Sequence, residues 1–568
     1  MSTLRASAPN PAATEPSALE RALAEVRDKA TEFARLPPLE KAALARECVH
    51  GLRAQAAAWV ARGAERRDAD PGEEWLAGPV PSIRLFRLFA ESLEEIARHG
   101  RPSLGRGARR RRDGRLEVDL FPASTFDRLS FSGFTGYALM EPGVNEQQAR
   151  ERQAAFYQQR DPRGGVSVIL GAGNVSSIPP MDVATKMFGE GFVCVLKMNP
   201  VNEWAGPFIE QALAPLISRG YLRVVYGGAE VGSALVYHPA VDDVHITGSD
   251  RTHDLIVWGP PGPERERRKA ENDPLLRVPI TSELGNVSPV AIVPYRYSDD
   301  ELWFQARNVA TMVTNNASFN CNAAKVLITP RGWPQREAFL TLIGKALAAV
   351  PPRRAYYPGA FDRYRLLLEG HEAERFGAGD AERLPWALVR GLDPTDRTER
   401  LFHTEPFCGI LSETSLGSDD PVQFLGEAVA FMNHRLWGTL NAMLVVPPKL
   451  EADPTIAAAL DRAVIDLRYG TVTFNHWPAL VYASGTMPWG GYQGATLADI
   501  QSGLGWVHNP FMLAGIDKSV LRGPLVVRPT PLWFYDNTKA AAVGPKLADL
   551  EAAPSWFKIP GLLAAALL

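Results

Sequence analysis

Short apolar runs alternate with helix-forming runs between residues 165 and 247, and this alternation constrains the fold more than any other feature of the chain. Each apolar run has the length of a buried strand and is followed by a helical pattern. Strand–helix–strand units with short links predict a parallel, doubly wound sheet with right-handed crossovers. Such sheets bind nucleotides at the carboxyl ends of their strands. The predicted strands are Val166–Leu170, Phe192–Lys197, Leu222–Tyr226 and Asp243–Thr247.

A second α/β segment is predicted from about residue 290, with a helix at Glu301–Thr314 and a strand at Lys325–Thr329. Upstream, the residues from Ala18 to Ala64 are strongly helix-forming, and Pro37 divides them into two helices. Residues Phe126–Met140 alternate between apolar and polar, which predicts a hairpin. The fold class is therefore α/β, with helices at the N-terminus.

Composition excludes several classes of protein. The net charge of −3 gives no overall attraction to nucleic acid. Four cysteines in 568 residues, none in a CxxC pair, argue against a disulfide framework and a structural zinc site, so no metal is expected. No stretch reaches the ~20 apolar residues of a membrane span. The first residues have no apolar signal core, and we expect a cytoplasmic protein.

One cysteine stands in a setting suited to chemistry. Cys321 lies in the segment VTNNASFNCNAAKVLI, between a predicted helix and a predicted strand and among small and amide residues. A thiol at such a junction is accessible to a ligand, which a reactive cysteine requires. The alternative interpretation is a small buried hydrophobic residue, the commonest role of a free cysteine.

Several further segments occur in an order that resembles the aldehyde dehydrogenase superfamily from about residue 160 to residue 494. Each is a modest signal alone, but the ordered set is specific. The segments are GAGNVSSIPP, VCVLKMNP, VHITGS, ITSELGNVSP, NASFNCNAAKVLI, TEPFCG and MPWGGYQG.

The resemblance implies a chemistry for three residues. Cys321 would be the nucleophile that adds to an aldehyde and later carries a thioester. Asn174 would donate its side-chain amide to the oxyanion, together with the Cys321 backbone N–H. Glu283 would be the base that activates the hydrolytic water.

The resemblance also implies a nicotinamide cofactor, either NAD or NADP. NADP stays possible because Pro200 stands where NAD-preferring members often carry a glutamate that repels a 2′-phosphate. Lys197 would contact the adenine ribose, and Ser249 would approach the pyrophosphate at a helix start. Glu405 would bind the nicotinamide ribose, and Phe407 would pack against the nicotinamide ring. The remaining predicted cofactor residues are glycines: Gly228, Gly248 and Gly285.

The resemblance implies the following division of the chain. Residues 1–120 would form an N-terminal helical region packed on the cofactor domain, and residues 121–160 an oligomerisation hairpin and linker. Residues 161–288 would form the Rossmann-type NAD(P)-binding domain, and residues 289–480 the catalytic domain with the nucleophile. Residues 481–568 would return to the cofactor and oligomerisation region and add a C-terminal segment. A homodimer or homotetramer acting on a small aldehyde is expected.

Two alternatives stay open. In a CoA-acylating relative, CoA would replace water in resolving the thioester; Glu283 argues for water. The basic run Arg106–Arg115, otherwise a solvated loop, could hold an anionic ligand such as CoA. The second alternative is a catalytically silent nucleotide-binding protein, against which Cys321, Asn174 and Glu283 argue.

Overall fold

Two β-sheets organise the chain, and the computed structural model describes residues 10–567. The first nine residues of the predicted N-terminal region lie outside the described residues. The strands are β1 (Ala108–Arg110), β2 (Leu116–Phe121), β3 (Thr135–Met140), β4 (Val166–Leu170), β5 (Val193–Lys197), β6 (Leu222–Val225), β7 (Asp243–Gly248), β8 (Ile280–Leu284), β9 (Pro289–Ile292), β10 (Val326–Pro330), β11 (Ala373–Phe376), β12 (Trp386–Leu392), β13 (Ile410–Leu416), β14 (Asn441–Val445), β15 (Thr471–Phe474) and β16 (Ile516–Arg522).

Helices cover both sheets and form the N- and C-terminal regions. They are α1 (Pro16–Arg35), α2 (Pro38–Arg67), α3 (Pro71–Ala77), α4 (Pro79–His99), α5 (Thr125–Ser130), α6 (Glu146–Arg152), α7 (Ile178–Ala184), α8 (Gly206–Ala212), α9 (Ala214–Ser218), α10 (Ala229–Val236), α11 (Asp250–Trp258), α12 (Pro263–Glu271), α13 (Asp299–Thr314), α14 (Arg336–Ala348), α15 (Ala360–Leu368), α16 (Arg400–His403), α17 (Pro421–Arg435), α18 (Pro454–Asp466), α19 (Ala479–Ser484), α20 (Ala540–Ala552) and α21 (Ile559–Leu567).

The smaller sheet has five parallel strands in the order β6-β5-β4-β7-β8. The order reverses at β4, so the crevice at the carboxyl ends of β4 and β7 is the topological switch point, where such sheets bind ligands. Its first four strands are those predicted from the apolar runs, and this prediction is confirmed. Valines and isoleucines of β4 and β5 are fully buried, as strands covered on both faces require.

The larger sheet has eleven strands in the order β1-β2-β3-β16-β15-β14-β9-β10-β13-β12-β11. Its central strands from β16 to β12 are parallel, while β1, β2 and β3 at one edge and β11 at the other run antiparallel to their neighbours. The predicted helix and strand on either side of Cys321 are α13 and β10. They hold the cysteine at the end of the sheet that faces the smaller sheet's crevice.

The hairpin predicted within Phe126–Met140 is wrong. Its first half is helix α5, because Ser124 and Asp127 form a capping box that satisfies the first N–H groups of the helix. The second half is β3, which pairs with β2 on one side and β16 on the other. The antiparallel pair therefore begins at Leu116, before the predicted boundary, and it extends the chain's own large sheet.

The arginine run forms the edge of this sheet. Arg109 and Arg111 both pair with the buried Glu117, and Arg115 pairs with Asp517 at 2.8 Å. These ion pairs neutralise three of the six arginines of the run, and charged side chains on an edge strand discourage pairing with another chain. The interpretation as an anion dock receives no support from this arrangement.

The N-terminal helices pack on the smaller sheet and on the C-terminal helices. α1 lies against β5 and β6, and α20 lies against α3 and α4. Arg84 joins these layers through buried bonds to Asp127 and Glu551, each at 2.8 Å. Between residues 10 and 567, no helix is both long and apolar enough to cross a membrane.

Candidate active site

A cavity of about 1330 Å³ lies where the carboxyl ends of the smaller sheet face the loops of the larger one. Every site residue predicted from the sequence lines it, which brings together positions that are far apart in the chain. They are Asn174, Lys197, Gly228, Gly248, Ser249, Glu283, Gly285, Cys321, Glu405 and Phe407. The structure therefore assembles one site from the predicted residues, whose individual roles stay predictions.

Cys321 is placed by an unusual turn. Three consecutive residues before it, Asn316, Ala317 and Ser318, have positive φ angles of 51°, 53° and 69°. Left-handed backbone at residues other than glycine is costly and is found where surrounding contacts impose it. The Asn316 side chain supplies such contacts, since its Nδ2 donates to the Asn174 carbonyl at 2.9 Å and to Asn320 Oδ1 at 3.1 Å.

Cys321 and Glu283 form a pair across the two sheets. The Cys321 Sγ donates to Glu283 Oε1 at 3.4 Å, and only 3% of Glu283 is exposed. Burial, reinforced by the nearby charge of Asp182, raises the pKa of Glu283 to about 7. Burial, followed by the charge of Glu283, raises the pKa of the Cys321 thiol well above its usual range. The resting thiol therefore keeps its proton and donates it in a hydrogen bond to a carboxylate whose pKa is about 7.

Asn174 lies beside the loop that carries Cys321. Its side-chain Nδ2 donates to the Phe319 carbonyl at 2.9 Å, two residues before Cys321. The amide has two N–H groups, so this bond fixes the side chain and leaves a second donor for another acceptor in the cavity. The same arrangement excludes a role for the Asn174 side chain as a simple helix cap, because its amide bonds the loop of Cys321.

The smaller sheet lines the other end of the cavity. Lys197 is the last residue of β5, and burial lowers the pKa of its ammonium, while Glu203 opposes this shift. Ser249 is the N-cap of α11 and accepts from the Thr252 N–H at 3.2 Å. Gly228 precedes α10, and a Cβ built there would meet nothing within 4 Å. This end offers a cation, open backbone and two helix starts, which suit a phosphate-bearing ligand.

Glu405 joins the nucleophile loop through a lysine that sequence reasoning missed. Lys325 Nζ donates to Glu405 Oε1 at 3.1 Å, and it also donates to the Asn320 carbonyl at 2.9 Å. Burial raises the pKa of Glu405, and the charge of Lys325 opposes this effect. A Cβ on Gly285 would overlap the Glu405 carboxylate, so a side chain at this position would displace Glu405. A signal for Lys325 existed: a cation directly before the fully buried strand β10 needs a partner.

Phe407 lies in an aromatic cluster at the cavity wall. Its ring centroid is 5.0 Å from that of Tyr357 and 5.8 Å from that of Phe319. Phe407 has a positive φ of 44°, which directs the backbone around the cavity. The tyrosine was not predicted, because no spacing in the sequence connects it with the other site residues.

Comparison with known proteins agrees with the motifs. Residues 128–351 match the model of the aldehyde dehydrogenase family. A 4-trimethylaminobutyraldehyde dehydrogenase B of Danio rerio is 31% identical over 218 residues, covering 37% of this chain and 36% of the relative. An α-ketoglutaric semialdehyde dehydrogenase 2 of Azospirillum brasilense is 24% identical over 230 residues, covering 38% and 41%. The chain thus spans about two fifths of the length of these curated relatives.

Solved structures share the fold over nearly the whole chain. The aldehyde dehydrogenase KauB of Pseudomonas aeruginosa is 16% identical, with a TM-score of 0.62 and coverage of 90% of both chains. An NADP-dependent glyceraldehyde-3-phosphate dehydrogenase of Bacillus halodurans, complexed with NADP, is 15% identical, with a TM-score of 0.59 and coverage of 90% and 92%. The family model, the relatives and the solved structures are all of aldehyde dehydrogenases, and the shared fold confirms the predicted fold class.

Proposed function

We propose that the protein oxidises an aldehyde to a carboxylic acid with NAD or NADP, through a thiohemiacetal and a thioester on Cys321. The contact between Cys321 Sγ and Glu283 Oε1 at 3.4 Å, in the cavity lined by all the predicted residues, carries this proposal. The match to the aldehyde dehydrogenase family and the aldehydes named in the relatives support the substrate class.

The first step is removal of the thiol proton. Glu283 accepts it from Cys321, which leaves a thiolate able to add to the aldehyde carbon. A carboxylate with a pKa of about 7 is half ionised near neutral pH, so it can both take the proton and release it again. A carboxylate at its usual pKa would be ionised but too weak a base.

Asn174 stabilises the oxyanion that the addition creates. Its amide is fixed by the bond to the Phe319 carbonyl, so a donor is in place before charge develops. Lys325 holds the backbone of the nucleophile loop through the Asn320 carbonyl. The loop therefore presents the thiol and the amide in one fixed geometry.

The cofactor fits the residues at the other end of the cavity. Lys197 and Ser249 would hold the ribose and pyrophosphate, and the open backbone at Gly228 admits a ligand that a side chain would exclude. Gly248 and Gly285 keep the carboxyl ends of their strands free of side chains, and Glu405 and Phe407 would contact the nicotinamide riboside. When bound, NAD or NADP supplies the hydride acceptor for the oxidation.

Hydrolysis of the thioester uses Glu283 a second time. The carboxylate removes a proton from water, which attacks the acyl carbon, and the Cys321 thiolate leaves. CoA-dependent resolution is the second candidate, but the presence of Glu283 favours water. We also propose a cytoplasmic location and a homodimer or homotetramer, and analytical ultracentrifugation of the purified protein tests the oligomeric state.

The proposal is tested by following reduced nicotinamide absorbance with a panel of aldehydes, with both cofactors, and with and without CoA. Wild type should turn over without CoA, Cys321→Ala should not, and Cys408→Ala is the matched control because Cys408 is buried outside the cavity lining. Turnover only with CoA would assign the protein to the acylating alternative. Cofactor binding without turnover of any aldehyde would favour the silent alternative.

A further inference from the structure

Glu283 and three other polar side chains form an array on one face of the smaller sheet. In the parallel pair β7 and β8, His245 lies beside Thr281, and Thr247 lies beside Glu283. Residues two apart in a strand point to the same face, so the four side chains share one face of the smaller sheet. Helix α7 covers this face and brings a second carboxylate, Asp182, to the array.

The contacts order these groups in a line. His245 Nδ1 lies 2.9 Å from Thr281 Oγ1, and His245 Nε2 lies 3.5 Å from Asp182 Oδ2. Thr247 Oγ1 donates to the same Asp182 oxygen at 3.0 Å. The other oxygen, Asp182 Oδ1, is buried and has no hydrogen-bond partner. Asp182 and His245 are only 1% and 2% exposed, respectively.

A small cavity connects this line with Glu283. It has a volume of about 10 Å³ and is lined by Glu283, His245 and Thr281, among others, which is room for about one water molecule. Lys186 and Glu190 also line it, and the Glu190 side chain is 40% exposed. Glu283 lines the large cavity as well, so this residue lies between the two cavities.

We propose that the Asp182–His245 pair receives the proton of Glu283 through Thr281 and a water in the small cavity, and thereby restores the base in each catalytic cycle. This inference rests on the proposed function. Asp182 and His245 are positioning residues, because neither contacts the reacting atoms. Such a path is needed because Glu283 is buried. A cofactor and a substrate in the large cavity would block the access of solvent to Glu283 from that side.

The proton transfer balances without another reactant. The protonated Glu283 carboxyl gives its proton to the water, and the water gives a proton to Thr281 Oγ1. The Thr281 hydroxyl gives its own proton to His245 Nδ1, which forms an imidazolium beside the Asp182 carboxylate. The imidazolium then returns a proton by the same groups to solvent near Glu190, and the Glu283 carboxylate is ready again.

The charged and titratable groups around Glu283 have opposite effects on its pKa. Asp182 on α7 raises it, whereas His245 on β7 and the Cys321 thiol lower it. Two further titratable groups face the same network, Tyr482 on α19 and His508, a fully buried histidine. Lys186 at the cavity wall is neutralised by its pairs with Glu190 and Asp243, at 2.9 Å and 3.0 Å.

The test compares Asp182→Asn and His245→Gln with wild type, using two pH profiles. One is the rate of aldehyde turnover, and the other is the rate of Cys321 alkylation by iodoacetamide without cofactor. Asp182→Asn removes the anion and should move the acid midpoint of both profiles to lower pH. His245→Gln removes the imidazole and should move this midpoint to higher pH. Turnover in both variants should fall about 10²-fold, at the lower end of the range typical of proton-transfer catalysis. A structural defect alone would not move the midpoints in opposite directions.

Thr281→Val and Glu283→Gln complete the test. Thr281→Val keeps every charge but breaks the line, so it should slow turnover without moving the midpoint, even where a charge variant fails to fold. Unchanged turnover in Thr281→Val, or unmoved midpoints in both charge variants, would overturn the inference. Glu283→Gln should remove the acid limb; if the limb persists there, the assignment of Glu283 as the base fails, which is a failure of the proposed function itself.

Discussion

The thiol of Cys321, in the turn between α13 and β10, contacts the carboxylate of Glu283, in β8 of the smaller sheet, at 3.4 Å. β8 carries Glu283 to the edge of the smaller sheet, and the turn after α13 carries Cys321 to meet it. The pair therefore depends on how the two sheets are placed together. Any change that separates the sheets at this point should separate the proposed nucleophile from its proposed base.

Glu283→Gln should lower steady-state turnover by about 10²- to 10⁴-fold, because the amide cannot remove a proton from water. The side chain keeps its size, so cofactor affinity should stay within about twofold of wild type. Stopped-flow measurement of reduced nicotinamide, with fluorescence titration of the cofactor, checks both. Near-normal turnover in this variant would contradict the assignment.

Stability should fall as pH rises through the range in which Glu283 titrates. The folded-state pKa of about 7 lies above the ordinary value of 4.5, so the folded protein holds a proton that the unfolded chain has released. The loss in the free energy of unfolding is absent below about pH 4.5 and complete above about pH 7, where it is about 3 kcal/mol.

Urea unfolding of wild type and Glu283→Gln between pH 5 and 8 measures this effect. As pH rises, the free energy of unfolding should decline less in the variant than in wild type, because the part of the decline that Glu283 causes is missing. Parallel curves for the two proteins would show that Glu283 is not held with a raised pKa.

Asn174→Ala should lower turnover by about 10²- to 10³-fold, the loss typical of removing one oxyanion donor. The substitution also removes the bond to the Phe319 carbonyl, so Asn174→Asp is a useful second variant that keeps the size of the side chain but has no N–H. Both variants should lose turnover to a similar degree while retaining cofactor binding. Retained turnover in Asn174→Asp would exclude the amide as an essential donor.

Gly285→Ala should weaken cofactor binding by displacing Glu405, because a Cβ at this position overlaps its carboxylate. The ion pair between Lys325 and Glu405 would be disturbed as well. Isothermal titration with NAD and NADP measures the change, expected to be tenfold or more, on the order of 1.4 kcal/mol. Gly426→Ala is the matched control, since a Cβ there meets nothing within 4 Å. Equal affinities in the two variants would contradict the role of Glu405.

The sequence predicted the parts of the site that local patterns reveal. The strands of the smaller sheet followed from short apolar runs, and the motif order brought Asn174, Glu283 and Cys321 into consideration together. The hairpin prediction was wrong because alternation in Phe126–Met140 did not outweigh the capping residues Ser124 and Asp127. Capping boxes are local signals as well, so this error was avoidable.

Asp182 and His245 could not be placed from the sequence. Which residue of β7 lies beside which residue of β8 is set by register, and the helix that covers them is determined by long-range packing. A partial signal existed, because His245 and Thr247, like Thr281 and Glu283, put polar groups at alternate positions of otherwise apolar strands. That alternation predicts a polar face, but only the structure shows that the two faces meet at Glu283.

The most direct test of the central claim is intact-protein mass spectrometry of Glu283→Gln mixed with an aldehyde substrate and NAD or NADP. The account predicts a mass increase equal to the acyl group that builds up slowly, because this variant also lacks the carboxylate that takes the Cys321 proton, and that is followed until it stops growing. The increase should be located on the peptide that contains Cys321 and be absent from the double variant with Cys321→Ala. A thioester on Cys321 would be contradicted if no adduct forms in a variant that binds cofactor while wild type oxidises the same aldehyde.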